Sequence, residues 1–411
     1  MKSPILPKQL AQGLERHRDL IEYAFWFFIP WFGFLIGIQR IQGTIFDEYH
    51  YISETFRLFS NNQLLMNHPP LGKILIRTGI LIFGHNPLGW RISATVFGAI
   101  CVTATYAIAR KLYDSKKVAH TAAFLTFSNG LLWSMARVGM LDIFCSGFSL
   151  LAVWKLLPLR NLSFKDLGWG AVFLGAACAS KWNGALVAGP ICAVIFYHSF
   201  RDQNPRQFLK TFAWASILLL GTYLSTYFPL ILARADFPSI FFVVQKHSDW
   251  IESHAKFATE HDYMSAPHQW PTIIQPIWLY FQKVSPTSFR GVFCVGNPAL
   301  FLLGLVALGA GFIPKLRSTW NSRDVWAHRL AIMLWFSAWA GWYVIPRQIE
   351  FFYYYLFSSL VLPWVLAKFL EVRWKWTLAI VLMGFFFYPV VTGLELPENS
   401  IGIWAWLDRW T

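Results

Sequence analysis

Charge is scarce in this chain. Only 14% of its 411 residues are Asp, Glu, Lys or Arg, against 56% hydrophobic and 18% aromatic, and the mean hydropathy is +0.43. Soluble domains carry about 25% charged residues, so a deficit of this size excludes an ordinary water-soluble globule and points to a polytopic membrane protein. Cysteine is scarce as well. Cys101, Cys145, Cys178, Cys192 and Cys294 are odd in number, lie mostly inside apolar runs and show no CxxC spacing, so neither a disulfide framework nor a zinc site is indicated. Internal repeats, low-complexity tracts and Ser/Gly linkers are all missing, and residues 1–411 read as one membrane domain. The charge that is present is lopsided, with a net +14 and a pI near 9.6. Yet the Lys and Arg sit in short clusters between apolar runs, with no basic stripe or base-stacking motif, which excludes a nucleic-acid partner and fits a membrane topology.

Lys2, Lys8, Arg16 and Arg18 precede an apolar run without a small-residue cleavage site, which reads as a retained first span. Since about 20 apolar residues cross the hydrocarbon core, the sequence predicts roughly eleven spans. They lie near 21–39, 88–109, 119–136, 139–155, 167–181, 183–200, 211–233, 293–313, 328–346, 351–368 and 376–393. With the N-terminus inside, the inner segments hold 21 of the 35 Lys and Arg, in keeping with the positive-inside rule. Two outer loops, about 40–87 and 234–292, are too long to be passive connectors. In the first, LGKILIRTGILIFG spaces Lys73 and Arg77 four apart among Leu and Ile, the pattern of an interfacial helix with its basic side toward headgroups.

On this topology several ionisable residues converge on the outer face. Asp47 and Glu48 follow the first span in FDEYHYISE, Arg137 and Asp142 lie in ARVGMLD, Lys181 in ASKWNGA, and Arg347 in IPRQIEFFYYY. Ionisable groups at membrane depth are costly and usually face a polar cavity or a partner. Each also has a structural reading: a helix cap for Asp47 and Glu48, a turn-closing ion pair for Arg137 with Asp142, a snorkelling Lys181, and for Arg347 an interface mark beside an aromatic belt from Phe351 to Tyr355. Transfer of a sugar from a lipid phosphate gives them a joint purpose. A hydroxyl acceptor needs a carboxylate to take its proton, for which Asp47 is placed. A leaving phosphate needs fixed cations, for which Arg137, Lys181 and Arg347 are suited. His247, His254, His261 and His268 recur every seven residues in the second loop, wider than the i, i+3 or i+4 spacing of a chelating helix.

The ordered set FDE, HPPLGK (His68 to Lys73), ARVGMLD, SKWNG, HDYMSAPHQWP, FCVGNPALF and RQIEFFYYY resembles the dolichyl-phosphate-mannose protein O-mannosyltransferases and their bacterial relatives, in the GT-C superfamily. The resemblance runs from residue 46 to about 360. It implies an all-α, GT-C-type bundle, and inverting transfer of mannose from a polyprenyl phosphate to Ser or Thr hydroxyls of proteins at the outer membrane face. Carried over by position, Asp47 resembles the catalytic acid and Glu48 its neighbour in acceptor binding. Arg137 and Lys181 resemble donor-phosphate contacts, and His247 and His261 fall at family histidine positions, with His68, Lys73 and Asp142 in support. No obligatory cofactor is implied; a divalent cation held with Glu48 and His261 stays open. The second loop has no room for the MIR domain of eukaryotic members, which suggests a prokaryotic inner-membrane enzyme with its site on the periplasmic or extracellular side. Two rival functions remain. One is an aminoarabinose-transferase-like enzyme acting on lipid A or an envelope glycan; the other is a lipid or solute transporter, which predicts inverted repeats that the sequence lacks.

Overall fold

The computed structural model describes residues 8–60, 67–256, 261–345, 347–371 and 373–410. The side chains of residues 1–18, including Lys2, Lys8, Arg16 and Arg18, and that of His254 lie outside the described residues.

The chain is mostly helical. Helix α1 (Lys8–Leu35) leads into the first long loop, which folds as α2 (Glu48–Arg57) and α3 (Leu71–Phe83). Next, α4 (Pro87–Tyr113) starts where Asn86 Oδ1 accepts from the amides of Leu88 and Gly89, with Pro87 supplying a preset φ in the first turn. It packs against α1, α3 and the next helices, α5 (Lys116–Phe127) and α7 (Leu141–Leu156), as a central post. Between those two lies the short α6 (Gly130–Met135), so the expected span at 119–136 is broken at Ser128 and Asn129. A break at membrane depth frees backbone groups that lipid cannot satisfy. Here side chains do so: Asn129 Oδ1 accepts from the Leu131 amide, and Asn297 Nδ2 donates to the Ser128 hydroxyl at 3.3 Å and the Ile380 carbonyl at 2.8 Å. Gly384 makes the close approach possible, since a Cβ there would stand 2.0 Å from the Ser128 carbonyl oxygen.

Helix α8 (Phe164–Ser180) packs on α7 and is followed by α9 (Ala185–Asp202) and α10 (Pro205–Ser225). The short α11 (Phe228–Ala233) continues from α10, and the second long loop carries α12 (Ile240–Ala255). It also carries an antiparallel hairpin, β1 (Ile277–Ser285) with β2 (Ser288–Cys294). Beyond it come α13 (Pro298–Ala310), α14 (Ser322–Ala340), α15 (Leu356–Leu370), α16 (Trp374–Phe386) and α17 (Tyr388–Val391). A third strand, β3 (Glu395–Pro397), pairs with β2.

Three expectations need correction. The fold is not all-α: the aromatic and β-branched run from Ile277 to Cys294, turning at Pro286 and Thr287, forms a hairpin. Part of the apolarity assigned to a span at 293–313 thus belongs to β2, and α13 begins only after Asn297 caps it. The basic side of α3 does not face headgroups. Lys73 is fully buried, donating to the His68 carbonyl at 3.1 Å and paired with Glu54 at 2.5 Å, while Arg77 lies over the Phe56 ring. Among the described residues, four helical stretches are long and apolar enough to cross a membrane: Pro87–Tyr113, Trp182–Asp202, Pro205–Ala233 and Phe352–Leu370. The first and last are buried among other helices, whereas the middle two expose most of their surface.

Candidate active site

A strained turn opens the site. Phe46 has a φ of 48°, in the left-handed region that costs a non-glycine residue on the order of 1 kcal/mol or more. Its ring is held against Phe351, Tyr353 and His261 at centroid separations of 5.4, 6.0 and 5.5 Å. Asp47 then occupies the N-cap position of α2, but its carboxylate makes no capping bond. It accepts instead from the Tyr353 hydroxyl at 3.0 Å. Burial pushes the Asp47 carboxyl above its usual value, opposed by the Tyr353 hydrogen bond and the positive charge of Lys181.

Lys181 ends α8 in extended backbone, and its ammonium reaches both carboxylate oxygens of Asp142, in the first turn of α7, at 2.8 Å each. The same nitrogen sits 4.4 Å from the Tyr354 ring centre and 5.5 Å from that of Tyr353. The Arg347 guanidinium lies 5.0 Å from the Tyr354 ring centre. Tyr353 therefore bridges Asp47 and the lysine, and Tyr354 bridges the two cations; both rings offer their faces to positive charge. Phe351 to Tyr355 are buried, so this run is not the aromatic belt that its composition suggests.

Lys181, Arg347 and His68 border a cavity of about 790 Å³ whose other walls are largely apolar, among them Leu186, Pro190 and Ile251. A pocket with cations at one end and hydrocarbon along its walls fits an anionic head on an apolar chain. Trp182, the residue after Lys181, donates to the Tyr223 hydroxyl at 2.9 Å, and that oxygen is 2.7 Å from His247 Nε2 on α12. His247 thus ties the second loop to the lysine turn and does not enter the cavity lining.

Three expected site residues make other contacts. Glu48 is fully buried and accepts four hydrogen bonds: from Arg91 Nε and Nη2, the Gly139 amide and the Ile45 amide, all between 2.8 and 2.9 Å. Its oxygens are occupied, so it is neither placed to meet an acceptor nor free to hold a cation with His261. His261 instead packs on Phe46 and Phe351 and accepts from the Tyr263 amide. Arg137 does not reach Asp142 or the cavity lining: its guanidinium donates to the carbonyls of Phe34 and Ile36 at the C-terminal end of α1 and to that of Thr392. Among the described residues, no three His, Cys, Asp or Glu side chains group so as to hold a metal ion.

Arg91 and the Tyr353–Tyr354 pair stand at the candidate site, and sequence reasoning passed over them. Beyond Glu48, Arg91 donates to the carbonyls of Ile38, Ile41 and Gly43, using all five of its N–H groups on the segment that carries Asp47. An arginine inside a predicted span was itself the signal.

A family model described as dolichyl-phosphate-mannose-protein mannosyltransferase matches residues 67–230. The polyprenol-phosphate-mannose–protein mannosyltransferase of Mycolicibacterium smegmatis is 26% identical over 91% of this chain and 89% of its own length. An undecaprenyl phosphate-alpha-4-amino-4-deoxy-L-arabinose arabinosyl transferase of Pseudomonas aeruginosa is 28% identical, over 52% of this chain and 36% of that protein. In fold, the chain superposes on the Saccharomyces cerevisiae protein O-mannosyltransferase Pmt1-Pmt2 complex bound to the sugar donor with a TM-score of 0.77, at 13% identity, covering 94% of this chain and 92% of that one. The chain is thus similar in sequence to a mycobacterial polyprenol-phosphate-mannose–protein mannosyltransferase and similar in fold to the yeast protein O-mannosyltransferase complex.

Proposed function

We infer that this chain is an inverting glycosyltransferase of one GT-C-type membrane domain, which moves mannose from a polyprenyl-phosphate carrier to Ser or Thr hydroxyls of proteins. The observation that carries the reading is the junction of Asp47, through Tyr353, with Lys181 at the mouth of an apolar cavity. The carrier's chain lies along the apolar walls and its phosphate meets Lys181 and Arg347. Asp47 takes the proton from the acceptor hydroxyl as its oxygen bonds to the anomeric carbon. The bond from that carbon to the phosphate oxygen breaks, and the cations receive the charge that develops there. Asp142 keeps the lysine charged and aimed, while Arg91 and Glu48 fix the turn that presents Asp47. We place the site on the periplasmic or extracellular side of a prokaryotic inner membrane, with about eleven spans and the two long loops outside, on the distribution of Lys and Arg.

The test is transfer by the purified protein from radiolabelled polyprenyl-phosphate-mannose to a Ser/Thr peptide, run beside lipid A and an envelope glycan. Labelled peptide supports the reading. Label only in lipid A or glycan moves the chain to the aminoarabinose-transferase-like alternative, which the Pseudomonas match favours over a shorter part of that relative.

A further inference from the structure

At the far end of α8 from Lys181 there is a second, separate cavity. An apolar slot of about 300 Å³ lies between α8, α9 and α10, walled by Leu174, Phe196, Phe212 and Leu219 with small side chains at Ala171 and Ala215. It lies where α9 stands off from the closely packed pair α8 and α10. Gly175 allows the close packing of α8 on α10, since a Cβ there would be 2.4 Å from the Leu219 carbonyl oxygen. Leu167, Ile195, Ser199 and Thr211 also line an adjoining polar pocket that contains Arg160, His198, Asp202 and Gln203. The two cavities adjoin across these four shared wall residues, one apolar and the other polar.

The polar end is basic. The flanking segments 155–166 and 201–210 contain Lys155, Arg160, Lys165, Arg201, Arg206 and Lys210 against only Asp166 and Asp202. Asp202 is taken by Arg160 at 2.8 Å and Arg201 at 2.9 Å, so two cations share one carboxylate. His198 Nδ1, at the pocket wall, makes no hydrogen bond among the described residues and lies 4.0 Å from Asp202 Oδ2, the same carboxylate that the two arginines hold. The 17 residues of α8 rise about 25 Å, close to the thickness of a hydrocarbon core, so this end lies at the membrane face opposite the catalytic lysine.

We propose that this composite cavity binds an anionic membrane phospholipid, with its phosphate at the Arg160 and His198 end and an acyl chain in the slot between α8, α9 and α10. The site is distinct from the donor cavity in place and in the membrane face it serves. Charge complementarity selects the occupant: a zwitterionic lipid has the same chains but no net charge for the surplus cations to meet.

The experiment is native mass spectrometry of the delipidated, detergent-solubilised full chain, titrated with phosphatidylglycerol, with phosphatidylcholine of the same acyl chains, and with inorganic phosphate. Phosphatidylglycerol is expected to be retained more tightly than phosphatidylcholine, by roughly fivefold for each basic side chain that meets it. Inorganic phosphate at equal concentration should not displace it, because the slot adds to the affinity. Arg160→Gln should erase the headgroup preference while Arg160→Lys retains it, and Ala215→Trp should block the slot to both lipids. Lys181→Met should leave this binding unchanged. Equal retention of the two lipids, displacement by inorganic phosphate, undiminished binding in folded Arg160→Gln and Ala215→Trp variants, or loss in Lys181→Met alone would each overturn the proposal.

Discussion

Replacing Asp47 with Asn removes the proposed base while sparing its surroundings. The amide keeps the side chain's shape and retains an oxygen for the Tyr353 hydroxyl, now 3.0 Å from Asp47. The Lys181–Asp142 pair and Arg347 are untouched. What is lost is the ability to take a proton from the acceptor. A positioned general base contributes about 10²- to 10⁴-fold, or about 3 to 5 kcal/mol of barrier. Initial rates of mannosyl transfer to a Ser/Thr peptide should therefore fall by at least about 100-fold in kcat, while donor affinity measured in the absence of peptide stays near the wild-type value. The pH profile gives a second, independent reading. The base works ionised, and burial raises the Asp47 pKa, so the wild-type rate is full above that pKa and is lost as pH falls through it, at a pH above the ordinary carboxylate range of about 4. Glu350 is the confounding group, since burial pushes it up to about 7 against the opposing charge of Arg347. Glu350→Gln should keep the acid limb and Asp47→Asn should lose it. Turnover by Asp47→Asn close to wild type, or an acid limb that vanishes with Glu350→Gln, would refute Asp47 as the base.

Lys181→Met removes one phosphate partner and should raise the donor KM roughly 10- to 100-fold, the scale of one charged hydrogen bond; an unchanged KM would detach Lys181 from the donor. Arg347→Leu, on a half-buried strap at the same cavity, should raise the donor KM without a comparable loss of thermal stability in detergent. Arg137→Met strips the donor from the Phe34 and Ile36 carbonyls, so it should lower the Tm and leave the donor KM alone. A raised KM with an intact Tm would return Arg137 to the phosphate site. Arg91→Met leaves the fully buried Glu48 without its cation and should cost about 3 to 5 kcal/mol in unfolding experiments, and adding Glu48→Met should restore part of that stability. A double variant less stable than Arg91→Met alone would refute the ion-pair account.

Much of the architecture was readable from local pattern. Apolar runs of bilayer length at Pro87–Tyr113 and Phe352–Leu370 appear where the sequence puts them, because a helix of that composition has few other ways to satisfy its backbone in lipid. Asp47 and Lys181, about 130 residues apart, both meet Tyr353, a junction that no motif in the sequence names. The hairpin at Ile277–Cys294 was missed because nearly all of it lies in the stretch read as the second outer loop, where strand pairing depends on a partner and leaves no hydropathy signal of bilayer length. The buried run at Phe351–Tyr355 was misread because tyrosine at an interface and tyrosine in a polar core look alike in one dimension.

By itself the amino-acid sequence determined the solvent of this protein, the retention of its helices in a membrane and the residue types available for sugar transfer, since those follow from composition and short-range period. Only the tertiary structure decided which charges work together. Arg91 takes Glu48 and Arg137 takes three backbone carbonyls, leaving Lys181 and Arg347 at the cavity. Partner choice among buried charges depends on distance across helices remote in sequence, and no local pattern records that distance.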